Sequence, residues 1–159
     1  MSMGLVNMIL ALTWAAAIGR FDLATLTIGF ALGYVALMLT RPLYGDVADR
    51  YFSRMPRVLG LVWFFVYELV MSSLRVVWDV VTPGTRAKPA IIAVPLEARS
   101  ELEILTLANL ISLTPGTLSL DVSDDRSTLY VHAMFGDDPD AIIADIKSEF
   151  ERRVLEVMR

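Results

Sequence analysis

Four polar residues interrupt the longest apolar run of this chain: Glu68, Ser72, Arg75 and Asp79. Their spacings of four, three and four put them on one face of a helix. An ionisable group inside an apolar span is costly and normally faces protein or water rather than lipid. Three roles fit such a stripe: a step in a proton or ion path, a surface that docks the helix against partner helices, or the polar side of a helix lying partly in the membrane interface. Docking is the preferred reading, with Arg75 and Asp79 as an i,i+4 ion pair. His132, the one histidine, lies on the polar phase of a strand, and no nucleophile or carboxylate set accompanies it. Asp137, Asp138 and Asp140 lack the loop spacing and closing Glu of a calcium site, and Asp138 fits a helix cap. There is no cysteine and no phosphate-cradling glycine loop. No catalytic residue, metal site or cofactor is expected, and the chain is not read as an enzyme.

The stripe belongs to an apolar N-terminal half. Of the 159 residues, 55% are hydrophobic, above the roughly 45–50% usual for soluble domains, and the excess lies in residues 1–82. Three apolar segments stand out: Leu5–Ile18, Leu23–Thr40 and Val58–Val81. As helices they would run roughly 21, 27 and 36 Å, against a hydrocarbon core of about 30 Å. Only the third spans comfortably. The first two are joined by Gly19-Arg20-Phe21-Asp22 and form a short hairpin that thins the bilayer or penetrates partway. Gly29 and Gly33 form a G-x-x-x-G pair, a mark of close helix packing, here against other membrane helices. Trp63 and Trp78 sit near the ends of the third segment, where aromatic belts occur. Ala15-Ala16-Ala17 resembles a cleavage region. No Lys or Arg precedes the run, however, and a second apolar segment follows at once, so it is read as retained.

Charge divides the chain as well. Residues 1–82 hold six Arg and five acids; residues 83–159 hold eight Lys/Arg and thirteen acids, a net charge of −5. The acidic half repels nucleic acid and anionic lipid, and neither is expected as a partner of that half. Arg41, Arg50, Arg54 and Arg57 precede the third segment, where Asp46 and Asp49 count little against them, and Arg86 and Lys88 follow it. Both clusters prefer the cytoplasm, and a spanning third segment would place one of them outside. The preferred orientation has the acidic domain in the cytoplasm.

Residues 83–159 read as a small soluble α+β domain. Pro83-Gly84 ends the third helix, and Ala90–Leu96 is an extended, β-branched run. Ser100 and Glu103 form a capping box that opens a helix over Glu101–Leu113. Thr114-Pro115-Gly116-Thr117 turns the chain. Leu118, Leu120 and Val122 alternate with polar residues as a half-buried strand does, Asp124-Asp125 mark a hairpin, and Leu129, Val131 and Ala133 alternate again. Asp138 and Pro139 cap a last helix with the apolar stripe Ile142, Ile146, Phe150 and Val154. The order strand, helix, strand, strand, helix is a ferredoxin-like βαββα pattern without its final strand, which leaves a sheet edge for another chain or for the linker.

The stretches Asn109–Val122, with its LISLTPGTLSLDV run, Leu129–Met134 and the tail Ile146–Val154 resemble the E subunit of the Mrp (Mnh) multisubunit cation/proton antiporters. The resemblance covers essentially the whole chain. It implies a multi-pass component of a bacterial inner-membrane complex that exchanges Na⁺ for H⁺, with the other subunits and the lipid bilayer as partners. In that family the large subunits are held to carry the ion paths, and the E subunit is small and accessory. The implied role is assembly in support of monovalent cation efflux coupled to proton uptake. The alternative is a stand-alone, membrane-anchored domain that binds a small ligand or metal, an analogy from fold alone.

Overall fold

The computed structural model describes residues 3–43, 46–83 and 87–159; the side chains of residues 46–50 also lie outside the description. Gly84, Arg86 and the side chains of Asp46, Asp49 and Arg50, all used in the sequence reading, therefore fall outside it. The chain forms two compact units, Met1–Pro56 and Arg57–Arg159. The composition changes at 82/83, whereas packing divides the chain at 56/57, because residues 57–81 pack with the C-terminal α+β domain.

In the first unit, α1 (Met3–Ile18) and α2 (Leu23–Leu39) form the hairpin. Gly19 turns the chain at φ 73°. Asp22 caps α2 by accepting from Thr25 N at 2.8 Å, and its carboxylate pairs with Arg20 at 3.1 Å. The buried residues repeat every four positions on both helices: Met3, Asn7, Ala11 and Ala15 on α1, and Gly29, Gly33 and Leu37 on α2. Small residues on both sides let the two backbones approach closely. A short 3₁₀ turn, Arg41–Leu43, follows.

The third helix is longer than its apolar segment. α3 runs from Asp46 to Val81 and carries Pro56 inside it. The sequence reads as a connection over Arg41–Arg57, but residues 46–57 are helical. Their anchors are aromatic: Tyr51 and Phe52 pack with Met3, Val6 and Leu37 of the first unit.

The second unit contains residues 57–81 of α3, β1 (Ala90–Pro95), α4 (Glu101–Leu113), β2 (Thr117–Val122), β3 (Thr128–Ala133), α5 (Pro139–Asp145), a π-helical segment (Ile146–Glu151) and α6 (Arg152–Met158). The strands form one antiparallel sheet in the order β1-β3-β2. Ile92 and Val94 from β1, and Leu129 and Val131 from β3, face the helices and pack on Leu107, Ile111, Ile146 and Phe150.

Two details depart from the sequence pattern. In β2 the leucines face outward: Leu118 is 49% and Leu120 48% exposed. Ser119 instead faces α4, where its N–H donates to Ser112 Oγ and its hydroxyl to Ala108 O. A register shift between Ser119 and Asp121 accompanies this. The last helix is interrupted by the π segment because its apolar residues recur strictly every four positions. In a plain α-helix that repeat drifts by about 40° per step. The wider i→i+5 turn takes up the drift, so Ile146, Phe150 and Val154 all stay buried.

Candidate functional site

Residues 57–81 place the stripe predicted from sequence against the α+β domain of the same chain. Ser72 and Asp79 are buried, and Glu68 is half-buried. Glu68, Ser72 and Arg75 line a cavity of about 120 Å³ together with Thr114, Gly116, Phe135 and Asp145. The Arg75 guanidinium lies 3.8 Å from the Glu68 carboxylate, two turns upstream. Arg75 thus has an ion-pair partner seven residues upstream, over the same cavity. The Ser72 hydroxyl donates to Glu68 O at 2.6 Å and to Leu69 O at 3.3 Å, so it is spent on its own helix.

Phe64 anchors the helix from above the stripe. Its ring meets Phe150 edge-on, with centroids 5.0 Å apart, and the Arg153 guanidinium covers it at 4.4 Å. Arg57 Nη1 donates to the carbonyl of Glu156 at 3.0 Å. The helix is thus held along its length from Arg57 to Asp79, about 33 Å.

Two carboxylates brace the domain itself, and sequence reasoning identifies only one of them. Glu103 closes the expected capping box and also accepts from Arg159 Nε at 3.0 Å. The Arg159 guanidinium and the N–H groups of Arg99 and Ser100 hold its carboxyl down at about 2, from an ordinary 4.5. Glu151 is buried on the π segment. Its Oε1 accepts from the N–H groups of Glu97 and Ala98 at 2.6 and 2.8 Å, and its Oε2 from Lys147 Nζ at 3.0 Å. The strict four-residue repeat around Phe150 was the available signal that Glu151 turns inward.

His132 sits on the outer face of the sheet, between Ile91 and Leu118 in register. Asp138 caps α5 by accepting from Ala141 N, and Asp137 pairs with Lys88 at 2.6 Å. Among the described residues no group of three or more His, Asp or Glu side chains is placed to hold a metal ion.

In the first unit, Gly29 and Gly33 face α1 of the same chain. A Cβ at Gly29 would lie 3.0 Å from Ala11 O and from Trp14; one at Gly33 would overlap Asn7 Oδ1. Asn7, in the sequence only an interruption of an apolar run, is fully buried and donates to the Tyr51 hydroxyl at 2.7 Å. Its Oδ1 has no hydrogen-bond partner and rests against the bare Cα of Gly33. Tyr34, Tyr51 and Phe52 form an aromatic cluster with centroids 5.0–5.9 Å apart.

Comparison with known proteins adds to this geometry. The profile of a family described as Na⁺/H⁺ ion antiporter subunit, MNHE, matches residues 7–157. The E subunit of the Na⁺/H⁺ antiporter of Alkalihalophilus pseudofirmus is 34% identical over 155 residues, covering 98% of this chain and 97% of the relative. The corresponding E subunit of Bacillus subtilis matches with the same identity and coverage. Among solved structures, a chain of the Mrp complex from Dietzia sp. DQ12-45-1b superposes with a TM-score of 0.50 at 34% identity, over 64% of this chain and 94% of that one.

Proposed function

Because this chain belongs to the Na⁺/H⁺ ion antiporter subunit family, we propose that it is an accessory, assembly component of a multisubunit Na⁺/H⁺ antiporter in a bacterial cell membrane. It supports monovalent cation efflux coupled to proton uptake without carrying the ions itself. One observation carries this reading: the polar stripe of residues 57–81 is turned onto the chain's own domain. Glu68 faces Arg75 across a small cavity, and Ser72 is bonded to its own helix. A conducting path needs acids, bases and water in series through the apolar layer, and this stripe runs instead along a protein surface.

What the chain presents outward is apolar. On α1 and α2, Leu5, Met8, Ile9, Ile28 and Val35 are about half exposed, and Leu23 is 82% exposed. That surface suits lipid and the helices of other subunits, and the hairpin is the membrane-inserted part. On the domain, Ile91, Leu118, Leu120 and Tyr130 leave the outer sheet face apolar, a surface for a further antiporter component on the cytoplasmic side. The order β1-β3-β2 with a helix between β1 and β2 supports the ferredoxin-like βαββα reading of this domain.

Glu68→Ala and Arg75→Ala are expected to lower recovery of the complex, purified through a tag on this chain, before they change ion affinity. Normal recovery with a shifted Na⁺ dependence of antiport in membrane vesicles would overturn the accessory role. Co-purification of other antiporter subunits with the tagged chain is the companion result expected.

A further inference from the structure

Length and composition make Tyr51–Val81 a candidate membrane span, yet its surroundings in the second unit oppose that use. One face of residues 57–81 is docked on the α+β domain from Arg57 to Asp79. The opposite face carries Leu59, Trp63, Val66, Val70, Leu74 and Val77, every one exposed. Their spacings of four, three, four, four and three define a single stripe. It is free of charge for about 27 Å. A helix with one apolar face and one polar face matches the in-plane amphipathic type better than an all-round apolar span.

Were the segment to cross the bilayer, the domain alongside would cross with it. Asp145 and Glu149 lie beside Phe64 and Glu68, and Asp137 lies beside Trp78 and Asp79. Arg153 sits over Phe64. All of these would enter the hydrocarbon layer, where charged side chains are strongly disfavoured. Laid flat, the same helix keeps every charge on the water side and buries only its stripe.

The basic residues give a second, independent argument. Arg41, Arg50, Arg54 and Arg57 precede the segment, and Arg86 and Lys88 follow it. A crossing segment splits these clusters between the two sides of the membrane, against the preference of both. A segment that does not cross leaves both on one side, in keeping with the preference of each. In the α1/α2 turn, Arg20 is neutralised by Asp22, so that turn carries no net positive charge.

We propose that residues 57–81 lie in the plane of the membrane interface, with the apolar stripe resting in lipid about 5–10 Å deep and the α+β domain on the water side, and that they do not span the bilayer. This goes beyond the antiporter assignment and does not rest on it.

The chain contains no cysteine, so a single introduced thiol reports one position. In sealed membrane vesicles carrying the full chain, Arg54→Cys and Asp124→Cys are expected to react with a membrane-impermeant maleimide from the same face. Both should lose that labelling when the reagent is confined to the other side. Labelling from opposite faces overturns the proposal; Ser148→Cys, also exposed, replaces Asp124→Cys if that variant is not recovered. Spin labels at Leu59→Cys, Val66→Cys and Val77→Cys then identify what covers the stripe. Lipid gives equal, oxygen-dominated collision at all three positions. A maximum depth at Val66 with shallow ends signals a span, and protection from both oxygen and a polar relaxant signals a protein partner; either result overturns the proposal.

Discussion

Gly33 and Gly60 separate two uses of the same residue. At Gly33 an added Cβ would overlap the buried Asn7 Oδ1; at Gly60 it meets nothing within 4 Å. Gly33→Ala is therefore expected to destabilise the hairpin by about 1–3 kcal/mol through overpacking. Gly60→Ala should be neutral or stabilising by up to about 1 kcal/mol, from helix propensity alone. Thermal unfolding of the purified full chain in detergent distinguishes them, and equal effects would remove the steric account of Gly33. Glu103 gives a titration at the same scale. Its folded value, about 2, lies below its ordinary 4.5, so its contribution is complete above pH 4.5 and is lost as the pH falls from 4.5 towards 2. Glu103→Gln should lower stability at pH 7 by about 1–2 kcal/mol and flatten the acid side of the stability curve. Asp125, held down to about 2 by the hydroxyls of Ser123 and Ser127, keeps part of the acid slope in the variant. A pH series of melting temperatures for the two proteins tests the difference.

At the scale of elements, much is legible because local signals agree with packing. The Ser100/Glu103 box and the Thr114-Pro115-Gly116 stop delimit α4 at Glu101–Leu113, as observed. Leu129, Val131 and Ala133 alternate and are buried. Alternation fails for β2, where Leu118 and Leu120 form an apolar phase on the outer face of the sheet. Period alone marks which residues share a face but not which face meets the helices, and the hydroxyls of Ser112 and Ser119 settle that choice through hydrogen bonds no pattern displays. The start of α3 escapes the pattern because Arg50, Asp46 and Asp49 read as a polar loop, while Tyr51 and Phe52 supply the packing that keeps it helical. Phe64 does not stand out either: one aromatic among many apolar neighbours gives no sign that it reaches Phe150. Phe64→Ala is expected to weaken the attachment of residues 57–81 to the domain by about 1–3 kcal/mol, from lost aromatic and cation–π contact plus burial. Faster amide exchange in residues 57–79, with α4 unchanged, is the expected readout; uniform acceleration across the domain would mean that Phe64 supports the whole core instead.

At the scale of the molecule, the stripe Glu68, Ser72, Arg75 and Asp79 is visible in the sequence but its partner is not. Spacing shows that four groups share a face; it does not say whether that face meets another protein, water or the chain's own fold. The long-range contacts Phe64–Phe150, Arg57–Glu156 and Arg153–Phe64 supply the answer. The same limit applies to the hairpin, where the G-x-x-x-G pair reads as facing other helices and in fact receives Asn7 and Trp14 of α1.

The π segment at Ile146–Glu151 has a consequence for how this tail tolerates change in length. A helix that carries one residue more than its α-helical phase requires can lose one and remain a helix. A deletion between Ile146 and Val154 would leave them seven α-helical positions apart, a turn of about 700°, so Val154 stays on the core side. Deletion of a single residue here is thus absorbed by the helix itself, whereas the same deletion within α4 would turn every residue beyond it by about 100°.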